Sequence, residues 1–495
     1  MSSGLFFGIN IALKGMMAHQ TALSVVSHNI ANANTDGYSK QMVQMAASHP
    51  IPGLYAGADL MGSGVEIAQI SRLHEDFINY QIREENATKG SWEVFKDTMG
   101  DIEVVFMEPH ETGFNEMLNR FFNDWQEVAK YAESSSVRTT LKDSAVYLSD
   151  SFRNIATQLS KIKEGLQTQI YHKTKEVEIL AQEIAQLNEQ IASVWISQGN
   201  PNDFLDKRDL ALDRLSQLGN ISVHNCVDEN GKITGAIEVK FGDQVIVAGR
   251  QVNWGALNDA VASVTDGEIA GLLKAGSDTD STNTVQYYIN RLNTLAVGLA
   301  KAVNDIHVTG KTASGSEGGT FFVFLDSDGN QIDLSAIDWT NPFASGLGAA
   351  NIYVNPDIER DVSLIAAGRE VEGLFLPGNG DVAREIARLI DIRFEYDEAN
   401  NLLTRNPAIE EITIGDFYKN LIADLGSMTA EAERMYENQN ALVNQLVYRR
   451  ESKTGVSLDE EMVNLVQYQH GFQANARVIS VLDEMLDTII NGLIR

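Results

Sequence analysis

Ser27-His28-Asn29-Ile30-Ala31-Asn32-Ala33-Asn34-Thr35-Asp36-Gly37-Tyr38-Ser39-Lys40-Gln41 ends an apolar stripe and turns the chain. Its asparagines suit caps and turns, Gly37 tolerates positive φ, and Tyr38 offers an anchor for the exit. Upstream, Ile9, Leu13, Met16, Leu23 and Ile30 recur at alternating steps of four and three, with Gln20 and Ser27 filling the gaps. That spacing keeps one helical stripe facing a partner helix. At the other end Leu458, Met462, Leu465, Phe472, Ala476, Ile479, Leu486, Ile490 and Leu493 share a seam on which only Gln469 and Asp483 are polar. Chain ends are usually frayed and polar. Two amphipathic ends therefore predict helices that pair as a coiled coil, and outer faces, with Leu5, Phe6, Val26, Val466 and Ile489, left for neighbours.

Inward from the ends, Val137 through Leu166 and Ile170 through Val194 sustain a heptad-like period without proline, predicting about 60 residues of helix broken at most near Gly165. Ser134-Ser135-Ser136 supplies N-cap candidates, and Gly199-Asn200-Pro201 ends the helix. From about 219 the period becomes two, with Ile237, Val239 and Phe241 alternating with polar residues and Asn230-Gly231 as a hairpin signal. Helix returns at about 283 to 307, and the Gly/Ser/Asp-rich stretch 310 to 319 reads as the neck of an insertion. The expected architecture is mainly α with β-rich insertions: an N-terminal axial helix and loop (1–50), a helical body with a long rod-like helix (51–218), a β meander (219–280), a returning helix (281–308), an inserted β-rich outer domain (309–378), further helical body (379–450) and a C-terminal axial helix (451–495), together elongated.

Composition narrows the function. The 495 residues include 38 Lys plus Arg and 68 Asp plus Glu, a net charge of −30, which repels phosphate backbones and anionic lipid surfaces. Nucleic acid and membranes are not expected partners. Cys226 is the single cysteine, so neither an internal disulfide framework nor a cysteine zinc cluster is available. No apolar run approaches the ~20 residues of a membrane span, and Met1 to Gln20 does not read as a cleaved signal peptide.

Signals for catalysis are weak. Gly378-Asn379-Gly380-Asp381-Val382-Ala383 fits a dinucleotide fingerprint before a helix, with Asp397 or Glu398 at a plausible ribose distance. Pro377 abuts the first glycine, however, and no repeated strand-helix-strand pattern follows. Gly310-Lys311-Thr312 lacks the earlier glycine of a phosphate loop, since Asp305 stands there. Asp326, Asp328 and Asn330 mimic a calcium loop but Gln331 replaces its glycine, and His74-Glu75 and His110-Glu111 lack a second histidine four residues on. No catalytic residue, metal site or cofactor is expected.

The order of residues 27 to 41 resembles the N-terminal signature of the axial proteins of the bacterial flagellum, the rod, hook and hook-associated proteins. Thr454-Gly455-Val456-Ser457-Leu458-Asp459-Glu460-Glu461-Met462 and Tyr468-Gln469 through Gln473-Ala474-Asn475-Ala476-Arg477-Val478-Ile479 look like its C-terminal partner. Asn202-Asp203-Phe204-Leu205-Asp206-Lys207-Arg208-Asp209 and Val303-Asn304-Asp305-Ile306-His307 resemble internal stretches of the hook-associated members and are not expected in the hook subunit, the runner-up. Asp36 stands where proline is usual and Lys40 where arginine is usual. The resemblance implies a non-enzymatic structural subunit that assembles as a ring between hook and filament, outside the cell, after export through the flagellar type III apparatus. Its implied partners are copies of itself, the hook protein, a second junction protein and an export chaperone. The implied assembly residues are Leu13, Met16, Leu23, Asn29, Ile30, Asn32, Asn34, Gly37 and Tyr38 at one end and Leu458, Met462, Leu465, Phe472, Ile479, Leu486 and Ile490 at the other.

Overall fold

The structure, a computed structural model, describes residues 2–50, 61–106, 113–197, 199–228, 231–279, 281–370, 374, 376–397, 400–405 and 411–492, with backbone alone for 2–5 and 490–492. Asn230 and Leu493 and the side chains of Leu5 and Ile490 lie outside the described residues. In chain order the elements are α1 (Ser2–Ala31), β1 (Gln41–Ala47), β2 (Val65–Arg72), α2 (Asp76–Phe106), α3 (Phe114–Lys130), α4 (Ser135–Ile196), α5 (Asn202–Leu218), β3 (Ile221–Val227), β4 (Ile233–Phe241), β5 (Gln244–Ala248) and β6 (Gln251–Val252). Then come α6 (Leu257–Ala262), α7 (Glu268–Ala275), α8 (Val285–His307), β7 (Phe322–Phe324), β8 (Ile352–Val354), α9 (Pro356–Arg360), α10 (Asp381–Ala387), β9 (Arg393–Asp397), β10 (Leu402–Thr404), β11 (Ile412–Thr413), α11 (Ile414–Thr454) and α12 (Leu458–Gly492). The class is mainly α with small antiparallel sheets, and α4 runs unbroken for 62 residues through Gly165.

Packing divides the chain into two units, each discontinuous in sequence: 1–90, 173–269 and 438–495 form one, and 91–172 with 270–437 form the other. Three helices, α2, α4 and α11, contribute a part to each. In the first unit α1 packs along α12, and the β1–β2 ribbon lies on α1. A four-stranded sheet in the order β3-β4-β5-β6 occupies 221–252, the first half of the stretch read as a meander, and the helices α6 and α7 lie in the second half. Buried Asn188 of α4 fastens it by donating to the carbonyls of Ile237 and Gly249 (3.0 and 2.6 Å) and accepting from Ile237 N–H (3.3 Å). Gly235, at φ 84°, lets the chain pass flat over the Trp195 ring.

The second unit has one large aromatic core. Phe114, Phe121, Phe122 and Trp125 of α3 are buried with Phe152 of α4 and Tyr288 of α8. Here the Gly/Ser-rich neck misleads: residues 309–378 do not form a separate outer domain. Phe321, Phe322 and Phe324 are fully buried in that same core, with the Phe321 and Trp125 rings 5.2 Å apart. Asn304 accepts from the N–H of Phe321 and Phe322, and buried Arg138 donates to the Ile365 carbonyl. His307 bridges Gly319 O and Ala366 N–H (2.7 and 2.8 Å). The glycines at 310 and 318 serve close packing against Ala366, not a loose tether.

The dinucleotide-like glycines have a packing role too. A Cβ on Gly380 would sit 2.3 Å from the Ala129 carbonyl oxygen, and Asp381 of the seven-residue α10 already accepts from Arg369 N–H and Val382 N–H. Asp326 closes a turn by accepting from the N–H of Asp328 and Asn330. Among the described residues no cluster of metal-ligating side chains occurs, and no helix is long and apolar enough to cross a membrane.

Candidate assembly site

The two chain ends meet as an antiparallel helical hairpin. Gly8 lies against Leu482, Gly15 against Asn475, Gly471 against His19 and Asn29 against Glu461, so the register holds over the pair. Approach is close where side chains are small: a Cβ on Gly15 would come 2.7 Å from Asn475 Oδ1, and one on Gly471 would come 2.6 Å from the His19 ring. Among the described side chains of α1, the buried apolar residues are Ala12, Ala18, Ala22, Val25 and Val26.

This moves the stripe read from the sequence. Leu13 is 37% exposed, and Leu458 and Met462 are about half exposed, so they stand outside the buried seam. Met16, Leu23 and Ile30 and, on α12, Leu465, Phe472, Ile479 and Leu486 are partly buried. Phasing a helix on its largest apolar residues misses a face built from glycine and alanine, because those residues bury backbone instead of side chain.

Below the hairpin the signature loop is tied into a polar knot. Asn29, 1% exposed, donates through Nδ2 to Gln41 O and to Glu461 Oε2 (both 2.9 Å). Its Oδ1 accepts from the Tyr38 hydroxyl (2.8 Å) and Gln41 N–H (3.0 Å). Tyr38 also meets His28 Nδ1 at 3.0 Å. Lys40 reaches Glu460 and Glu461 at 2.9 and 3.0 Å, and its N–H donates to Thr454 O. Gly37 turns at φ 74° with Leu210 of α5 beneath it. Asn32 donates to His28 O at the end of α1, and Asn34 is exposed.

A ladder of ion pairs continues from the knot. Ser39 N–H donates to Asp206, which Arg72 NH1 meets at 2.7 Å while its NH2 lies 2.7 Å from Asp209. Arg83 links Asp209 to Asp213 (3.0 and 2.9 Å), and Arg450 meets Asp213 at 2.7 Å. Burial opposes charge throughout. It raises the Asp206 carboxyl despite Arg72. At Asp209 the neighbouring Arg72, Arg83 and His74 overcome burial and hold the carboxyl below its ordinary value. Burial, with Asp203, Asp206 and Glu461 nearby, pushes the Tyr38 phenol well up, so it stays a neutral donor. For Lys40 burial is likewise outweighed, by Glu460 and Glu461, and the ammonium is stabilised.

Sequence reading located the loop but not its partners. Glu461 sat inside a quoted motif without a role, and Asp206, Asp209 and Asp213 occur at i, i+3 and i+7, which places them on one face of α5. Arg72, Arg83 and Arg450 come from three other elements, and nothing local in sequence links them. The arrangement is a structural lock: Asn29, Lys40, Arg72, Arg83 and Arg450 each bind a part of the chain distant in sequence.

Three family models match segments of the chain. The model for the flagella basal body rod protein covers 9–38, and the one for the C-terminal part of the flagellar basal body rod FlgEFG proteins covers 451–492, which are the two arms of the hairpin. The model for the helical domain of flagellar hook-associated protein FlgK covers 99–322. These matches and the fold define a structural component of the flagellar axis. Flagellar hook-associated protein 1 of Bacillus subtilis is 26% identical, covering 99% of this chain and 98% of that one. The proteins of the same name from Salmonella typhimurium and Escherichia coli are each 25% identical, covering 98% of this chain and 99% of theirs. The solved flagellar hook junction protein FlgK of Burkholderia pseudomallei shares the fold, with a TM-score of 0.59 and 16% identity over 76% of this chain and 100% of that one. Over nearly its whole length the chain is thus similar to proteins named hook-associated protein 1.

Proposed function

We propose that this protein is a structural subunit of the junction between hook and filament, and that its copies assemble as a ring through the α1–α12 hairpin. The observation that carries the reading is the outer surface of that hairpin. Phe6 (57% exposed), Met17 (58%), Val463 (67%) and Met485 (51%) are among the apolar side chains that find no cover within the chain. Large apolar side chains left exposed along both helices of the pair point to a partner surface. Neighbouring subunits in a tube supply that cover, and the lock at Asn29 and Glu461 holds the hairpin ready for it. The near full-length relatives named hook-associated protein 1 and the junction protein with the same fold support this place over that of hook subunit.

On this reading the partners are other copies, the hook protein and a second junction protein, with an export chaperone before assembly. The site is extracellular, reached through the flagellar type III apparatus. Electron microscopy of cells lacking the protein tests the proposal. Hooks without filaments are expected; full-length filaments on such cells would refute it.

A further inference from the structure

The four-stranded sheet of the first unit has an open edge. β3 is its outermost strand, paired only with β4. Asn188 shows which way the β4 backbone points. It holds both the N–H and the C=O of Ile237 together with the carbonyl of Gly249, just past β5, so Ile237 faces away from β3. Hydrogen-bonding direction alternates along an antiparallel pair, and Asn225 stands opposite Ile237, Val223 opposite Val239 and Ile221 opposite Phe241. Ser222 and His224 therefore bond to β4, while Ile221, Val223 and Asn225 turn their N–H and C=O outward. These groups meet no partner among the described residues. An exposed edge is usually blunted with Pro, Lys or a bulge. β3 carries no Pro or Lys, and its register is regular from Ile221 to Asn225.

Between that edge and the start of α2 lies a groove of about 750 Å³, bordered by Asn79 and Tyr80 of α2 and by Arg208 of α5. Tyr80 is exposed and gives the groove an aromatic wall. Arg208 is 8% exposed, and its NH1 donates to Asn188 Oδ1 and the Gly235 carbonyl (3.0 and 2.7 Å), but its Nε has no partner. Arg72 and Arg83 each hold two carboxylates, whereas Arg208 forms no ion pair among the described residues. Burial lowers its pKa to about 10.

We propose that this groove takes an extended, acidic peptide segment of a partner protein, which adds to the sheet as a strand beside β3 and sets a carboxylate against Arg208. The two halves of the recognition come from separate observations. A row of outward N–H and C=O groups is met in register by another extended backbone, which neither a helix nor a small anion supplies. A buried guanidinium with a free donor calls for negative charge, and a carboxylate forms the stronger, charge-assisted bond with it. None of the residues assigned to assembly borders the groove, so the proposal stands apart from that reading.

Fluorescence anisotropy on the full chain tests it, with a labelled synthetic peptide that alternates Thr and Val around one Glu. Wild type should bind this peptide, and a version with Lys in place of Glu should bind about tenfold more weakly or worse. A version N-methylated at every second amide on the edge-facing side, unable to complete the ladder, should lose binding. So should the Val223→Pro variant, whose missing N–H is one that β4 does not use. Hydrogen exchange over 220–226 should slow when the Glu peptide is bound. Should Val223→Pro fail to fold by circular dichroism, the N-methylated peptide decides alone. No binding up to about 1 mM, equal binding of the Lys peptide, or equal binding of the N-methylated peptide would each overturn the proposal. Sedimentation of the free protein covers the other occupant: a dimer that Val223→Pro dissolves, with no peptide bound by wild type, would mean that β3 pairs with a second copy and the acidic-peptide reading is wrong.

Discussion

Replacing Asn29 by Ala removes the centre of the knot that joins the two chain ends. The side chain makes four hydrogen bonds while 1% exposed. Its loss strands Gln41 N–H and C=O and takes one donor from Glu461, whose side chain is itself 1% exposed. Tyr38 keeps His28, and Glu461 keeps Lys40, so those two are only partly deprived. At about 1–3 kcal/mol for each buried group left unsatisfied, and allowing for water entering the gap, the expected cost is about 3–5 kcal/mol. The damage is local to the hairpin and loop, which should open without unfolding the aromatic core of the second unit. Hydrogen exchange by mass spectrometry reads this directly. Amides of residues 25–41 and 458–465 should exchange about 10²- to 10³-fold faster, with exchange in α3 and α8 unchanged, since ~1.4 kcal/mol is a factor of ten. Acceleration below threefold, or spread evenly over the chain, would refute the claim that Asn29 centres the lock.

Leu465→Ser combined with Phe472→Ser should abolish filament attachment while leaving both units folded, because each half-buried side chain contributes about 1–2 kcal/mol in every subunit; normal filaments would count against the hairpin's role. His307 accepts Ala366 N–H and is fully enclosed, and burial lowers its pKa from 6.5 to about 4. Its contribution is therefore complete above pH 6.5 and is lost as pH falls toward 4. Urea unfolding at pH 4.5 should show about 2.5 kcal/mol less stability from this group than at pH 7, a difference that His307→Gln should shrink. Gly380→Ala should destabilise the second unit by about 1–3 kcal/mol, seen as a lower Tm, since the Ala129 backbone cannot yield easily to a methyl group 2.3 Å away. Replacing 309–378 with a short Gly/Ser linker should give insoluble protein, because it removes three buried phenylalanines from a shared core.

Periodicity revealed the helices well. The long α4, the β3–β4 hairpin region and both terminal helices follow patterns that a single helix or strand face imposes, and the signature loop was legible because its asparagines, Gly37 and Tyr38 each have a conformational reason to be there. Residues 309–378 misread because glycine serves two ends. It loosens a linker, and it also lets backbones touch, as Gly310 and Gly318 do at Ala366. The phase of the α1 seam was lost for the same reason, since Gly8, Gly15 and Ala22 carry no bulk to mark the buried side. The ion-pair ladder from Arg72 to Arg450 was invisible for a different cause: its partners lie on β2, α2, α5 and α11, and only the fold brings them together.

The central claim is that the α1–α12 hairpin is the assembling element. Electron cryo-microscopy of isolated flagella at the boundary between hook and filament tests it most directly. The account predicts a ring of this protein in which the hairpins pack side by side, with Phe6, Met17 and Met485 buried between copies. Density showing the hairpins separated by solvent, with copies touching only through the unit that contains α3 and α8, would contradict it.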